Sequence, residues 1–352
     1  MEELIEKIGY WMVVDEVVPG ITIASIKGTI TEPKERAIEK IKEVVSASTP
    51  YFPLFSREDD RDVIDLVVLK KKGDKKRNPV FNLALFLATI FTTLFIGSLN
   101  QGGNPVANPA DLWLGIPFSF SLMAILTGHE LGHYLTSRHF KVQASLPYFL
   151  PIPHPLIGTL GAVIKMDSVI PNRKALFWIG LTGPLTGFII SIPIIYFGLS
   201  LSRIESLQNY PNAWALGDSL LFFIIGKLTH PSIPPNMDII LHPMAFAGWV
   251  GLLVTGLNLV PLGQLDGGHI SYSLMLKKRR YISLAVIIAL GFLGLYWYGW
   301  FLWIIIGIFL SMREPMIQDR ITRLDSSYYL LSLIPITILI LSFIPIPFFI
   351  SR

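Results

Sequence analysis

Residues 129–133 read His129-Glu130-Leu131-Gly132-His133, near the end of an apolar run extending from residue 112 to residue 135. On a helix, side chains four apart share a face, so the two imidazoles can reach one metal ion. The glutamate between them lies beside the first histidine, where it can hold a water on that ion. His-Glu-x-x-His has the ligand spacing of a zinc centre with a carboxylate base. The setting sharpens the reading, because ionisable groups inside a membrane-length apolar segment are costly to keep there and mark functional sites.

Around this stretch the chain has the composition of a multi-spanning membrane protein. It has 352 residues, 52% hydrophobic and only 15% charged, which departs from soluble globular usage. The absence of cysteine excludes disulfides and cysteine zinc sites, leaving His, Asp and Glu as ligands. Ten of the 29 Lys and Arg residues fall in two clusters, 70–77 and 277–280, each directly before an apolar run. This is a membrane-orientation signal rather than a nucleic-acid patch, so no nucleic-acid partner is expected.

A spanning helix needs about 20 apolar residues, and the sequence offers seven candidates: 80–99, 113–136, 174–199, 242–263, 281–297, 298–312 and 327–350. Basic residues gather before the first, after the second, before the third, and after the fourth and sixth, whereas residues 98–111 carry none. That bias puts the amino terminus in the cytoplasm. The expected fold is mainly α: a polytopic membrane protein of about seven transmembrane helices. To this are added a small amino-terminal α+β cytoplasmic domain and a membrane-associated β-hairpin or re-entrant loop.

Three regions are expected: a soluble domain with basic linker (residues 1–78), a catalytic transmembrane core (79–275) and carboxy-terminal helices (276–352). The start Met1-Glu2-Glu3-Leu4 lacks the basic and apolar regions of a cleaved signal peptide. Strands are expected at 10–18 and 21–27 around Pro19-Gly20, and at 51–55 and 63–69 around a charged turn. Between the pairs, Thr31-Glu32-Pro33 opens a helix with Ala37, Ile38, Ile41, Val44 and Val45 on one face. The acidic run Glu58-Asp59-Asp60 reads as a solvated turn.

With this orientation His129 and His133 lie near the cytoplasmic end of the second span, and a further ligand should come from another span at that depth. The end of the fourth span reads Asn258-Leu259-Val260-Pro261-Leu262-Gly263-Gln264-Leu265-Asp266-Gly267-Gly268-His269. Pro261 removes a helical hydrogen bond and the glycines loosen the backbone, so an aspartate can turn inward there. His129–His133 together with Asn258-x-x-Pro261-x-x-x-Leu265-Asp266-Gly267 resembles the site-2 protease family of intramembrane zinc metalloproteases, peptidase family M50. The amino-terminal domain, Asn78-Pro79, Gly158 and Gly161, Gly183-Pro184 and His242-Pro243-x-Ala245-Phe246-x-Gly248-Trp249 resemble its archaeal and chloroplast-type subgroup.

The resemblance implies Zn2+ held by His129, His133 and Asp266, Glu130 as catalytic base, and a core formed by the second, third and fourth spans. It implies hydrolysis of peptide bonds in a single-pass membrane protein substrate within the lipid bilayer. Asn258 is a candidate oxyanion donor, with an interhelical hydrogen bond as the alternative. His269 reads as supporting the site rather than as a ligand. Residues 147–166 are too broken for a helix and suit a re-entrant hairpin. Gly161, Ala162, Val163 and Ile164 are candidates for an edge strand to which unwound substrate adds, the alternative being a packing loop. Competing functions are a divalent-metal transporter and an inactive relative that binds membrane helices. Absent cysteine and abundant Ile and Lys suit a thermophilic prokaryote, and the expected location is a prokaryotic (archaeal) cell membrane.

Overall fold

The structure is a computed structural model that describes residues 2–18, 23–68, 78–152, 156–206, 208, 214–312 and 314–350. The turn at Pro19-Gly20, the basic stretch 70–77, residues 153–155 of the expected loop and the orientation signal of Arg313 lie outside the described residues.

The amino-terminal region runs α1 (Glu2–Ile8), β1 (Met12–Val18), β2 (Ile23–Ile30), α2 (Lys34–Ser48), β3 (Phe52–Glu58) and β4 (Arg61–Val67). Its strands pair antiparallel in the order β1-β2-β4-β3. The charged turn narrows to Asp59 and Asp60, both at positive φ (43° and 66°), which matches a two-residue hairpin of primed type. The stripe Ala37, Ile38, Ile41 and Val45 on α2 is buried against Ile26, Phe55 and Ile64 of the sheet. Buried Asp62 accepts the Ile30 amide at 3.0 Å and pairs with Lys34 at 2.9 Å, tying the start of α2 to the sheet.

The core begins with α3 (Pro79–Asn100) and α4 (Ile116–His139), the latter led in by a 3-10 turn at Pro109–Gly115. Then follow β5 (Tyr148–Phe149), β6 (Ala162–Val163), β7 (Ile170–Asn172) and the long α5 (Arg173–Ser200). A far-end cap of β8 (Arg203–Ser206), β9 (Trp214–Leu216), α6 (Leu220–Thr229) and β10 (Met237–Ile240) leads to α7 (Pro243–Leu259) and α8 (Asp266–Met275). The chain closes with α9 (Arg279–Gly294), α10 (Gly299–Ser311), β11 (Ile317–Asp319), α11 (Ser327–Leu331), α12 (Leu333–Ser342) and β12 (Phe348–Ile350).

Among the described residues three helices are long and apolar enough to cross a membrane: α3, α4 with its lead-in turn, and α5. The other expected spans are shorter. α7 has 17 residues, about 26 Å at 1.5 Å per residue. It stops because Val260 precedes Pro261, and a residue before proline is pushed out of the helical region; Val260 sits at ψ 126°. The run expected at 327–350 helps form two short helices and then turns extended at Phe343, near Pro345 and Pro347.

α5 is the central post. Its buried residues face α4, α7 and α8, whereas α3 lies at the edge with Leu83, Leu87 and Phe91 directed outward. Residues 144–152 and 156–166 form the two sides of the expected hairpin, with Tyr148 opposite Val163 and Phe149 opposite Ala162. It lies along α3. Asn82 near the start of that helix donates to the Leu146 and Pro147 carbonyls, and Asn100 at its end donates to Leu156 at 3.1 Å. The amino-terminal sheet is longer than the sequence suggests. β11 pairs parallel with both β3 and β7, giving six strands in the order β1-β2-β4-β3-β11-β7, and β7 runs directly into α5.

Candidate metal centre and active site

The regular turn of α4 stacks His129 and His133 on its buried face, 5% and 6% exposed. α5 crosses that face with small residues: a Cβ on Gly183 would overlap the His133 ring, and one on Gly187 would press on His129. This close approach lets the His133 Nδ1–H donate to the Ile179 carbonyl at 2.6 Å, which turns the Nε2 lone pair away from α5. Such a partner on the remote nitrogen fixes the tautomer a metal ligand needs. Thr182 Oγ1 donates to the Gly132 carbonyl at 3.1 Å and locks the two helices in register.

Asp266 arrives by another route. After α7 ends, Gly263 takes a positive φ of 52°, open to glycine at little cost, and the chain reverses into α8 with Asp266 in its first turn. The positive end of a helix favours a carboxylate there. Gly267 has no room for a side chain, since a Cβ would strike the Leu259 carbonyl, so α8 begins packed on the last turn of α7.

One Asp266 oxygen lies 3.4 Å from His129 Nε2 and the other 3.3 Å from His133 Nε2. The two Nε2 atoms are 3.1 Å apart. One ligand atom from each of the three residues lies within 4.8 Å of the other two, close enough to converge on one ion, and three protein ligands leave the fourth position of a tetrahedral zinc site open. Among the described residues it is the one cluster of three His, Asp or Glu groups with that geometry. Glu130 is buried beside it, 6% exposed. The amide of Asn258, the penultimate residue of α7, lies 3.4 Å from His129 Nε2.

Gly161, Ala162, Val163 and Ile164 line up on the second strand of the hairpin. Leu150 donates to the Gly161 carbonyl, and Ser145 to that of Lys165. Antiparallel strands alternate, so Gly161, Val163 and Lys165 turn their backbones into the hairpin. Ala162 and Ile164 therefore turn theirs to the free edge, where the Ile164 amide faces the Glu130 carboxylate. The four candidates thus divide into two inward and two outward positions, a division the sequence pattern does not reveal.

Two buried arginines support α8. Arg173, the first residue of α5, donates to the Ser273 and Leu274 carbonyls at 2.7 and 2.8 Å, at the end of α8. Arg279 donates to the Gly263 carbonyl at 3.0 Å, holding the reversal that aims Asp266, and stacks on Tyr272. In the sequence both look like cytoplasmic orientation charges. The only hint is that each sits at the very end of an apolar helix, where an arginine can reach free carbonyls. His269 is buried three residues after Asp266 beneath Gly180, outside the triad, and among the described residues its Nδ1 has no partner.

The sequence model of peptidase family M50 matches residues 117–295, just over half of the chain. That stretch holds both histidines, Glu130, Asn258 and Asp266. The rice protein named probable zinc metalloprotease EGY1, chloroplastic (Oryza sativa subsp. japonica), is 31% identical over 214 residues, covering 54% of this chain and 37% of its own length. The Arabidopsis thaliana protein named probable zinc metalloprotease EGY2, chloroplastic, is 28% identical over 308 residues, covering 84% of this chain and 55% of its own. The chain therefore spans about half or less of the length of these two relatives. Their chloroplast location does not fit the archaeal cell membrane expected above. No solved structure matches the chain. With the matched model covering the triad and its supporting helices, the chain belongs to peptidase family M50.

Proposed function

We propose that the chain is an intramembrane zinc metalloendopeptidase that hydrolyses peptide bonds of single-pass transmembrane substrates. The observation that carries this reading is the buried triangle of His129, His133 and Asp266, with Glu130 alongside, deep in an apolar core. The names of the plant relatives agree with zinc. His129, His133 and Asp266 hold the ion. When bound, zinc supplies a Lewis acid that polarises the scissile carbonyl and acidifies water. Glu130 takes the proton of the attacking water and passes it to the leaving amine. Asn258 donates its amide hydrogen to the developing oxyanion.

The substrate must unwind before this chemistry, because a helical carbonyl is already hydrogen-bonded and shielded. Unwound backbone in lipid leaves groups unsatisfied at several kcal/mol each. The outward amide and carbonyl of Ala162 and Ile164 take them up by strand addition, next to Glu130.

The wider layout in this reading has seven membrane segments, four of them shorter than a full span, and an amino terminus on the cytoplasmic side. Residues 1–78 form the soluble domain, 79–275 the catalytic core and 276–352 the carboxy-terminal helices. A transporter would need ligand clusters along a path, and among the described residues there is a single cluster. The test is incubation of purified protein with a labelled membrane-spanning peptide, with and without a chelator, beside Glu130→Gln. Chelator-sensitive cleavage absent from the variant is expected; chelator-insensitive cleavage, or full cleavage by Glu130→Gln, would contradict the proposal.

A further inference from the structure

A cavity of about 870 Å³ lies at the end of the core opposite the triad. Its walls include Asn100 at the end of α3, Phe118 at the start of α4, Phe222 and Phe223 on α6, and Phe246 on α7. Phe118 precedes His129 by eleven residues of the same helix, so the cavity is about 16 Å from the triad along α4.

Its polar lining is unbalanced. Glu205, Asp218 and Asp238 supply three carboxylates, against Lys227 and the imidazole of His230 among the described residues. Asp218 and Asp238 are both exposed at the rim, and partial desolvation, with Asp238 close enough to help, pushes the Asp218 carboxyl up from its ordinary value. An aromatic and aliphatic floor under an acidic rim suits a peptide segment that carries an apolar side chain beside a lysine or arginine. A lipid tail would match the floor but has no charge complementary to the acidic rim.

The hairpin joins this cavity to the triad. Its free edge at Ala162 and Ile164 lies beside Glu130, and Leu156 near its tip lines the cavity while its carbonyl accepts from Asn100. A segment laid on the free edge therefore runs toward the tip. At about 3.3 Å per residue, 16 Å is covered by about five extended residues.

We propose that this cavity is a substrate-docking site for a basic residue with an apolar neighbour, about five positions from the scissile bond on the side away from the cytoplasm. The inference rests on the protease reading and adds to it a charge preference read far from the metal.

The test separates docking from chemistry. A photoreactive phenylalanine analogue is placed at Phe223 in the full chain carrying Glu130→Gln, in nanodiscs. Single-pass peptides bear Lys, Gln or Glu five residues from the cleaved bond. Crosslinking should fall in the order Lys, Gln, Glu, with at least a tenfold difference between the extremes. Glu205→Lys with Asp218→Lys should reverse the order. If the lysine variants do not insert, Asp218→Asn and Asp238→Asn must shrink the Lys-over-Glu ratio. Equal yields for all three peptides, crosslinks to lipid alone, or no crosslink would overturn the proposal. Cleavage of all three peptides by the Glu130 protein at equal KM would sink the docking site and leave the protease standing. Charge-ordered crosslinking with no cleavage by the Glu130 protein would do the reverse.

Discussion

α4 and the α7–α8 reversal bring the three proposed ligands to one cluster by opposite means. α4 is an unbroken helix whose period places His129 and His133 on one face, so the helix itself guarantees their spacing. Asp266 is presented by a break, and its position depends on a positive-φ glycine, a glycine without room for a side chain, and two arginines from neighbouring segments. The ligands on the regular helix are buffered against remote change, whereas the ligand on the break is set by residues that never touch it.

The sharpest way to break this contrast is to overfill the reversal. Gly267→Ala puts a methyl against the Leu259 carbonyl, and backbone must move. We expect a loss of about 3 kcal/mol, the upper part of the overpacking range, seen as a lowered unfolding midpoint in detergent together with weakened zinc binding. Leu131→Ala, on the outward face of α4, should leave zinc affinity unchanged. Equal effects from the two would erase the distinction.

The next largest effect concerns the arginines. Arg173→Met and Arg279→Met should each weaken zinc binding about 10- to 100-fold, the usual consequence of losing a group that orients a ligand, as measured by chelator competition. Arg→Lys at either position should recover part of the loss. Unchanged affinity in both Met variants would show that the reversal holds its shape unaided.

These differences also explain what the sequence makes legible. The His129–His133 pair is readable because a helical period is a local property, and the amino-terminal hairpins and α2 stripe follow from local patterns too. Pro261 marks the break, but the torsion that aims Asp266 and the reach of Arg173 and Arg279 depend on tertiary neighbours. The fifth and sixth strands of the sheet are invisible in the sequence for the same reason: β11 and β7 are three residues each, too short for periodicity, and they pair across about 150 residues of chain. Span lengths were overestimated where proline stops a helix inside an apolar run, as at Val260-Pro261 and after Ser342.

A third test uses the amino-terminal sheet as a region remote from both ligand routes. Lys34→Met leaves buried Asp62 without its cation. With Lys34 partly exposed, the cost should be about 1–2 kcal/mol, read as earlier unfolding of this domain. Zinc affinity should stay within twofold; a larger fall would mean that the continuous sheet transmits strain through β7 to α5.

A smaller effect is expected on the hairpin. Ile164→Pro removes the outward amide, which faces both the free edge and the Glu130 carboxylate, and should lower kcat/KM about tenfold at unchanged zinc content, the loss of roughly one hydrogen bond. Ile164→Ala keeps the donor and should be milder. Equal activity in the two variants would remove the edge-strand role.

The most direct measurement of the account is zinc stoichiometry and affinity across four single variants of the purified chain. Wild type and Glu130→Gln are expected to hold one zinc per chain, and His129→Ala, His133→Ala and Asp266→Ala to lose it together. Retention of wild-type affinity by Asp266→Ala, with loss confined to the histidine variants, would contradict the claim that the helix and the break build one metal centre.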